Sequence, residues 1–352
     1  ALARAEAGRG AAERTAEAER QLELADRAVL ARGITSFHDA GVSYAELDRL
    51  AAMADTGRLG VRLWVMVRDT VANHAANLHR YRRVGERAGK LTVRAIKVSI
   101  DGALGSRGAW LLEPYADLPG STGLATTDPA EVRELARLAL EQDYQLCVHA
   151  IGDRANRETL DIFTEALGSV PDGRQRRWRI EHAQHLNPAE IPRFAELGVV
   201  AAMQGIHCTS DAPYVVARLG ERRAEEGAYV WRKLADAGAV IVNGTDAPVE
   251  PVDPIASFYA TVTRQLADGT RFYPDQALSR EEALATYTKN AAWAAFEEND
   301  KGTLELGKLA DITVLDRDLL TIPEDEIPAT RVVWTIVGGE VLHEAPAGPA
   351  AL

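Results

Sequence analysis

Two rhythms of apolar and polar residues alternate along the chain. In one, apolar side chains fall on every second position, which buries one face of an extended strand. In the other they return every three or four positions, which buries one stripe of a helix. The first rhythm predicts strands over residues 34–39, 61–67, 95–101, 145–150, 179–183, 199–203 and 240–246. The second predicts one or two helices over 1–32 and a helix over 71–88. Others begin at Ser43, as an N-cap, and at Asp128-Pro129, with proline in the first turn. Asp153 is expected to cap a helix to about 167, and Asn187-Pro188 to open another. Residues 227–237 read as helical, and the capping box Ser279–Glu282 opens a helix running to 297. Long loops are expected over 102–119 and after Met203, the latter carrying His207, Asp211 and Tyr214.

Strands alternating with helices at this spacing imply a parallel sheet with crossover helices. Seven such strands precede Pro248, one short of a closed (β/α)8 TIM barrel, with an open doubly wound sheet as the competitor. The polar residues separate the two. Asp39, Lys97, His149, His182 and Asp246 lie at or near the C-terminal ends of five different strands. That scatter suits a barrel, where reactive groups collect at one face; a doubly wound sheet gathers them at one crevice. After about residue 300 the pattern shifts to short strands and glycine turns, with a hairpin about Gly338-Gly339. We therefore expect a barrel domain over 1–299, incomplete at its N-terminus with its first strand absent. Part of a small β-sandwich domain is expected over 300–352.

Lys97 is the anomaly in this pattern. Ile96, Val98 and Ile100 share one face of their strand, while Ala95, Lys97, Ser99 and Asp101 share the other. A lysine pointing into a barrel must be paired, neutralised or used, because a lone buried ammonium is costly.

Composition narrows the partners. The 352 residues carry a formal net charge of −12, a pI near 5.3 and 46% hydrophobic residues. An acidic chain argues against nucleic acid or an anionic membrane as partner. No long apolar span or secretory pattern is seen, and two cysteines, Cys147 and Cys208, make no disulfide framework. A cytoplasmic protein acting on a small molecule is expected, with room for a homo-oligomer.

His149 in Val-His-Ala-Ile-Gly-Asp, His182 in Ile-Glu-His-Ala-Gln and Asp246 in Gly-Thr-Asp-Ala-Pro offer imidazole and carboxylate donors, the ligand set of zinc and similar ions. Such an ion lowers the pKa of bound water to about 7. Asp246 is placed to take that water's proton. Each residue also has a plainer reading: a hydrogen-bonded histidine, a turn-capping aspartate, a Lys97 paired with Asp101 or another carboxylate. Gly102, Gly105 and Gly108 do not open a helix in the dinucleotide manner, so no phosphate cradle is expected.

These segments, with Ile96–Arg107 and Gly302–Asp311, resemble the amidohydrolase superfamily, specifically its amidohydrolase 3 (YtcJ-like, exoenzyme-regulator-like) branch. The resemblance implies a TIM barrel with a centre of one or two metal ions. It implies Lys97 as an N-carboxylated bridging ligand, His149 and His182 as ligands of the second metal, and Asp246 as ligand of the first and proton carrier. It further implies a metal-bound hydroxide cleaving a non-peptide C–N bond in an amide, formamide or cyclic amide. Arg107, Trp110 and His207 are expected at the substrate pocket. Family members also carry a His-x-His strand ahead of the second barrel strand, and nothing here matches it. His38, in Phe-His-Asp, is expected at the pocket wall or in local hydrogen bonding, not as a substitute. Gly205, where proline would be expected after Gln204, is expected to loosen the pocket loop. The rival readings are a catalytically impaired or regulatory protein lacking the first-metal ligands, and a barrel hydrolase with other chemistry.

Overall fold

The computed structural model describes residues 10–346. Seven parallel strands form one curled sheet in the order β1 (Ser36–Val42), β2 (Arg62–Val67), β4 (Leu91–Ser99), β5 (Gln145–Ala150), β6 (Arg179–His182), β7 (Val200–Gln204) and β8 (Val240–Gly244). A short β3 (Arg83–Gly85) adds antiparallel to β4. β1 and β8 are the two edges and do not pair with each other, so the sheet is an open barrel.

The apolar convex face holds this sheet to its helices. Ile96 and Val98 of β4, with Ile100 just after it, pack with Leu146 and Val148 of β5 and with Leu135, Leu160 and Phe163 of the crossover helices Pro129–Glu141 and Asp153–Gly168. Burying each such side chain contributes roughly 1.5–3 kcal/mol. The concave face is layered. Trp64, Met66, Ala95, Cys147 and Ala295 form an apolar plug, and charged and imidazole side chains lie beyond it toward the strand ends.

Local chemistry explains the helix boundaries. Ser43 and Glu46 form the capping box of Tyr44–Asp55, and Ser279 and Glu282 that of Arg280–Tyr287. Asp128 caps Pro129–Glu141 through Ala130 N–H. The expected helix over 71–88 ends at Tyr81, where Arg82 turns extended and its guanidinium bonds Asp143. Asp153 is not a cap: Gly152 holds that position, and the Asp153 carboxylate accepts from Leu112 N–H across the loop. The helix expected to reach 297 breaks at Thr288 (φ −121°, ψ −99°). The loop expected after Met203 is instead the helix His207–Leu219.

A second sheet of three antiparallel strands runs β11 (Glu340–Glu344), β10 (Val332–Val337), β9 (Ile312–Leu315). No strand pair forms over 302–307. Arg62 on β2 grips Asp311 in a two-pronged ion pair (2.6 and 3.0 Å), and both side chains are almost fully buried. Thr335 donates to Leu30 O of the helix Ala11–Leu30, and Thr313 to Gly33 O. The part of the predicted first helical segment over 1–9 lies outside the described residues, as does the tail over 347–352.

Candidate metal centre

Parallel register stacks the strand ends. Lys97 pairs with Cys147, Ser99 with His149, Ala150 with His182 and Gln204 with Gly244. Lys97, His149, His182 and Asp246 all reach one cavity of about 900 Å³, which runs along the unpaired edges of β1 and β8 and takes residues 32–40 and 242–247 into its wall. On β6 the alternation turns Arg179 and Glu181 inward. His182 should then face out, yet its backbone is left-handed (φ 77°), which swings its ring to the same side. Asp246 is also left-handed (φ 55°). Such strain costs on the order of 1–3 kcal/mol per residue and clusters at functional sites.

Three imidazoles stand in a row. The His149 and His182 rings are 4.3 Å apart, edge to face, and His207 lies behind His182 at 6.1 Å, nearly parallel. His182 Nδ1 lies 2.8 Å from Gln204 Oε1. An amide oxygen only accepts, so Nδ1 carries the proton and the Nε2 lone pair is free. Among the described residues, His149 makes no hydrogen bond, its buried Nε2 included; Asp101 Oδ1 approaches that nitrogen at 3.6 Å. Burial, reinforced by the Lys97 and Arg68 charges, pushes His149 down to about 3. Burial, then His149 and Lys97, holds His182 well below its ordinary value. Both rings are neutral at pH 7, as metal ligands must be.

Lys97 is 5% exposed, and burial lowers its pKa, with Arg68 acting the same way against Glu181 and Asp246. Among the described residues no carboxylate stands within ion-pair distance of it. Asp101, the partner considered above, is engaged elsewhere: it accepts from the backbone N–H groups of Trp110 (2.9 Å), Ile151 (3.0 Å) and Gly152 (2.8 Å). Burial raises Asp101 to about 7 and also raises Asp246.

The His149 ring without a hydrogen bond, the fixed His182 tautomer and the unpaired buried amine fit a divalent ion on the β4–β6 side. They do not form a closed cage: among the described residues no three His, Cys, Asp or Glu side chains converge tightly enough to enclose an ion.

The structure does not bring every expected residue to the cavity. Arg107 lies outside its wall, paired with Asp117 at 2.9 Å. The Trp110 ring packs under Arg154 instead. His207 is buried behind His182 rather than in the wall. His38 does line the cavity, its Nδ1 accepting from Arg179 at 3.3 Å. Gly205 does not loosen its turn: a Cβ there would sit 2.1 Å from Thr261 Oγ1 and 2.4 Å from Ser257 O, so only glycine fits. Sequence reasoning passed over Arg179, Glu181, Gln204 and Arg68. The two-residue spacing Arg179-Ile-Glu181 was the available signal for the first pair.

The Amidohydro_3 pattern, described as the amidohydrolase family, matches residues 1–343. The chain belongs to the amidohydrolase family. It is 36% identical over 254 residues to the protein LONG AFTER FAR-RED 3 of Arabidopsis thaliana, covering 72% of this chain and 43% of that protein. It is 33% identical over 253 residues to YtcJ of Bacillus subtilis (71% and 47%). It is 29% identical over 218 residues to the N-substituted formamide deformylase of Arthrobacter pascens (61% and 39%). The chain thus spans about half the length, or less, of these relatives. Among solved structures, a metal-dependent hydrolase of Pyrococcus furiosus superposes with a TM-score of 0.74 at 31% identity, covering 86% of this chain and 60% of that one. This amidohydrolase family member therefore has a curled, open version of a TIM barrel.

Proposed function

We propose that this protein is a metal-dependent hydrolase of C–N bonds other than peptide bonds, acting on a small amide, formamide or cyclic amide. The observation that carries the reading is the meeting of Lys97, His149 and a tautomer-fixed His182 at adjacent strand ends of one cavity. His149, His182 and Lys97 would hold the ion, zinc by its preference for imidazole and oxygen donors. Lys97 suits the role as a carbamate because burial disfavours its ammonium form, and a buried amine that gives up its proton can add carbon dioxide. When bound, the ion acidifies water and polarises a carbonyl. Gln204 holds the His182 ring in place, and Asp101 pins the loop that follows His149. Asp246, raised by burial, takes the proton of the attacking water and returns it to the leaving nitrogen. Two buried free cysteines suit a cytoplasmic setting, and no described helix is long and apolar enough to cross a membrane.

The test is the metal content of purified protein, wild type against Lys97→Ala and His149→Ala. Both variants are expected to lose most of the ion. Full retention in both overturns the ligand assignment. A second reading, a catalytically impaired or regulatory relative, draws on the lack of a closed cage among the described residues. It predicts that the wild type binds metal weakly and cleaves no amide.

A further inference from the structure

We propose that Arg179 is a positioning residue that keeps the Glu181 carboxylate from Lys97, so that Lys97 stays free for the ion. This rests on the hydrolase reading above and adds a guard to its ligand set.

The sheet register sets the three side chains near one another. Lys97 pairs with Cys147 and Cys147 with Arg179, so lysine and arginine occupy one row, two strands apart. Glu181 is the next inward position on β6. Cys147, between the two cations, is a buried free thiol of the apolar plug and neutralises neither. Glu181 is the carboxylate that acts most strongly on the Lys97 charge, ahead of Asp246. All three side chains are buried. One buried carboxylate thus faces two buried cations, and a charge in such a place needs a partner.

Arg179 takes the carboxylate because groups from across the barrel fix its guanidinium. Its Nε stands 3.2 Å from Glu181 Oε1. Its Nη1 donates to His38 Nδ1 of β1 at 3.3 Å, and its guanidinium carbon lies 5.0 Å from the centre of the Trp64 ring of β2. A weakly hydrated planar cation suits that aromatic setting better than an ammonium does. The hold on Glu181 is one of charge: Arg179 Nε and Glu181 Oε1 form no aligned hydrogen bond. Loss of the guanidinium therefore leaves that oxygen free to turn. Other wall cations are engaged. Arg32 meets Asp253 at 2.9 Å, Lys301 meets Glu297 at 2.7 Å, and Arg68 donates to Ser99 Oγ at 3.3 Å. Lys97 is then the partner for a released Glu181. An ammonium held by a carboxylate has three donors and no lone pair to give an ion.

The test combines zinc affinity, measured by competition with a chelator, with crystal structures of the metal-free full chain. The proteins are wild type, Arg179→Met, Arg179→Gln and the double variant Arg179→Met/Glu181→Gln. In both single variants the Glu181 carboxylate should lie within about 4 Å of Lys97 Nζ. Their zinc affinity should fall at least about tenfold. Removing the carboxylate as well should return affinity to within about threefold of wild type, a rescue that a merely structural role for Arg179 would not give. Should Arg179→Met fail to fold, Arg179→Gln and its own double variant with Glu181→Gln carry the same comparison. Glu181 standing apart from Lys97 in the single variants overturns the guard, as does a double variant that binds zinc as weakly as its single parent. A Lys97–Glu181 pair with zinc affinity unchanged supports the guard and counts against Lys97 as a ligand. A wild type that binds no zinc counts against the hydrolase reading, while the structures still decide the guard.

Discussion

The middle and the edges of the curled sheet are held by different means. β4, β5 and β6 each have a parallel partner on both sides and crossover helices packed behind them. Lys97, His149 and His182 stand on these strands, with Gln204 of neighbouring β7 fixing a ring. β1 and β8 have one ladder partner each. They lean on parts outside the ladder: Arg62 with Asp311 steadies the β1–β2 edge, Lys301 reaches Ser36, and Asn290 holds Ile241 O. Asp39 and Asp246 belong to these edges. The side whose strands are doubly paired has its candidate ligands brought together, and the side with open ladders does not.

Breaking the edge support should have the largest effect. Arg62→Ala leaves Asp311 buried without its main partner, and removing one member of such a pair costs about 3–5 kcal/mol. Denaturant unfolding should show that loss. A change below about 1 kcal/mol would mean that the edge does not depend on the small sheet.

A smaller effect sharpens the other side of the contrast. Gln204→Ala frees the His182 ring without removing a ligand, and loss of such a partner typically weakens metal affinity 10–100-fold. Competition with a chelator measures it. Affinity unchanged within about twofold would show that packing alone orients the ring.

A third expected effect is a pH dependence just beyond β6. His185 is buried with neither ring nitrogen bonded, and burial lowers it to about 3. The unfolded chain takes up this proton below about pH 6.5 and the folded chain does not until near 3. Stability from this group is therefore present above 6.5 and lost on acidification through that window, at up to about 1.4 kcal/mol per pH unit. His185→Leu should flatten the acid limb of a stability–pH curve; an unaltered slope would exclude His185 as its source.

Much of this was legible in the sequence because it depends on short-range chemistry. Alternation located all seven parallel strands, with 145–150 matching β5 at both ends. The Ser43 and Ser279 capping boxes and the Gly338-Gly339 hairpin formed where residue types demanded them. Failures came where distant packing overrode local signals. The helix His207–Leu219 forms despite Pro213, and Gly205 is dictated by Thr261 and Ser257, more than fifty residues away. Arg107 and Trp110 are near the glycine loop in sequence, but their side chains turn to Asp117 and Arg154.

The sequence by itself determined where the seven parallel strands run and the face on which Lys97 lies, because period-two and helical patterns are properties of neighbouring residues. Only the tertiary structure decided the rest. The left-handed turn at His182 placed adjacent Glu181 and His182 on one cavity, and Gln204 on another strand chose the His182 tautomer. Asp101 was taken by three backbone amides, leaving Lys97 without an ion-pair carboxylate among the described residues. Each of these outcomes depends on groups far apart in the chain meeting in three dimensions, where burial fixes protonation and one hydrogen bond excludes another.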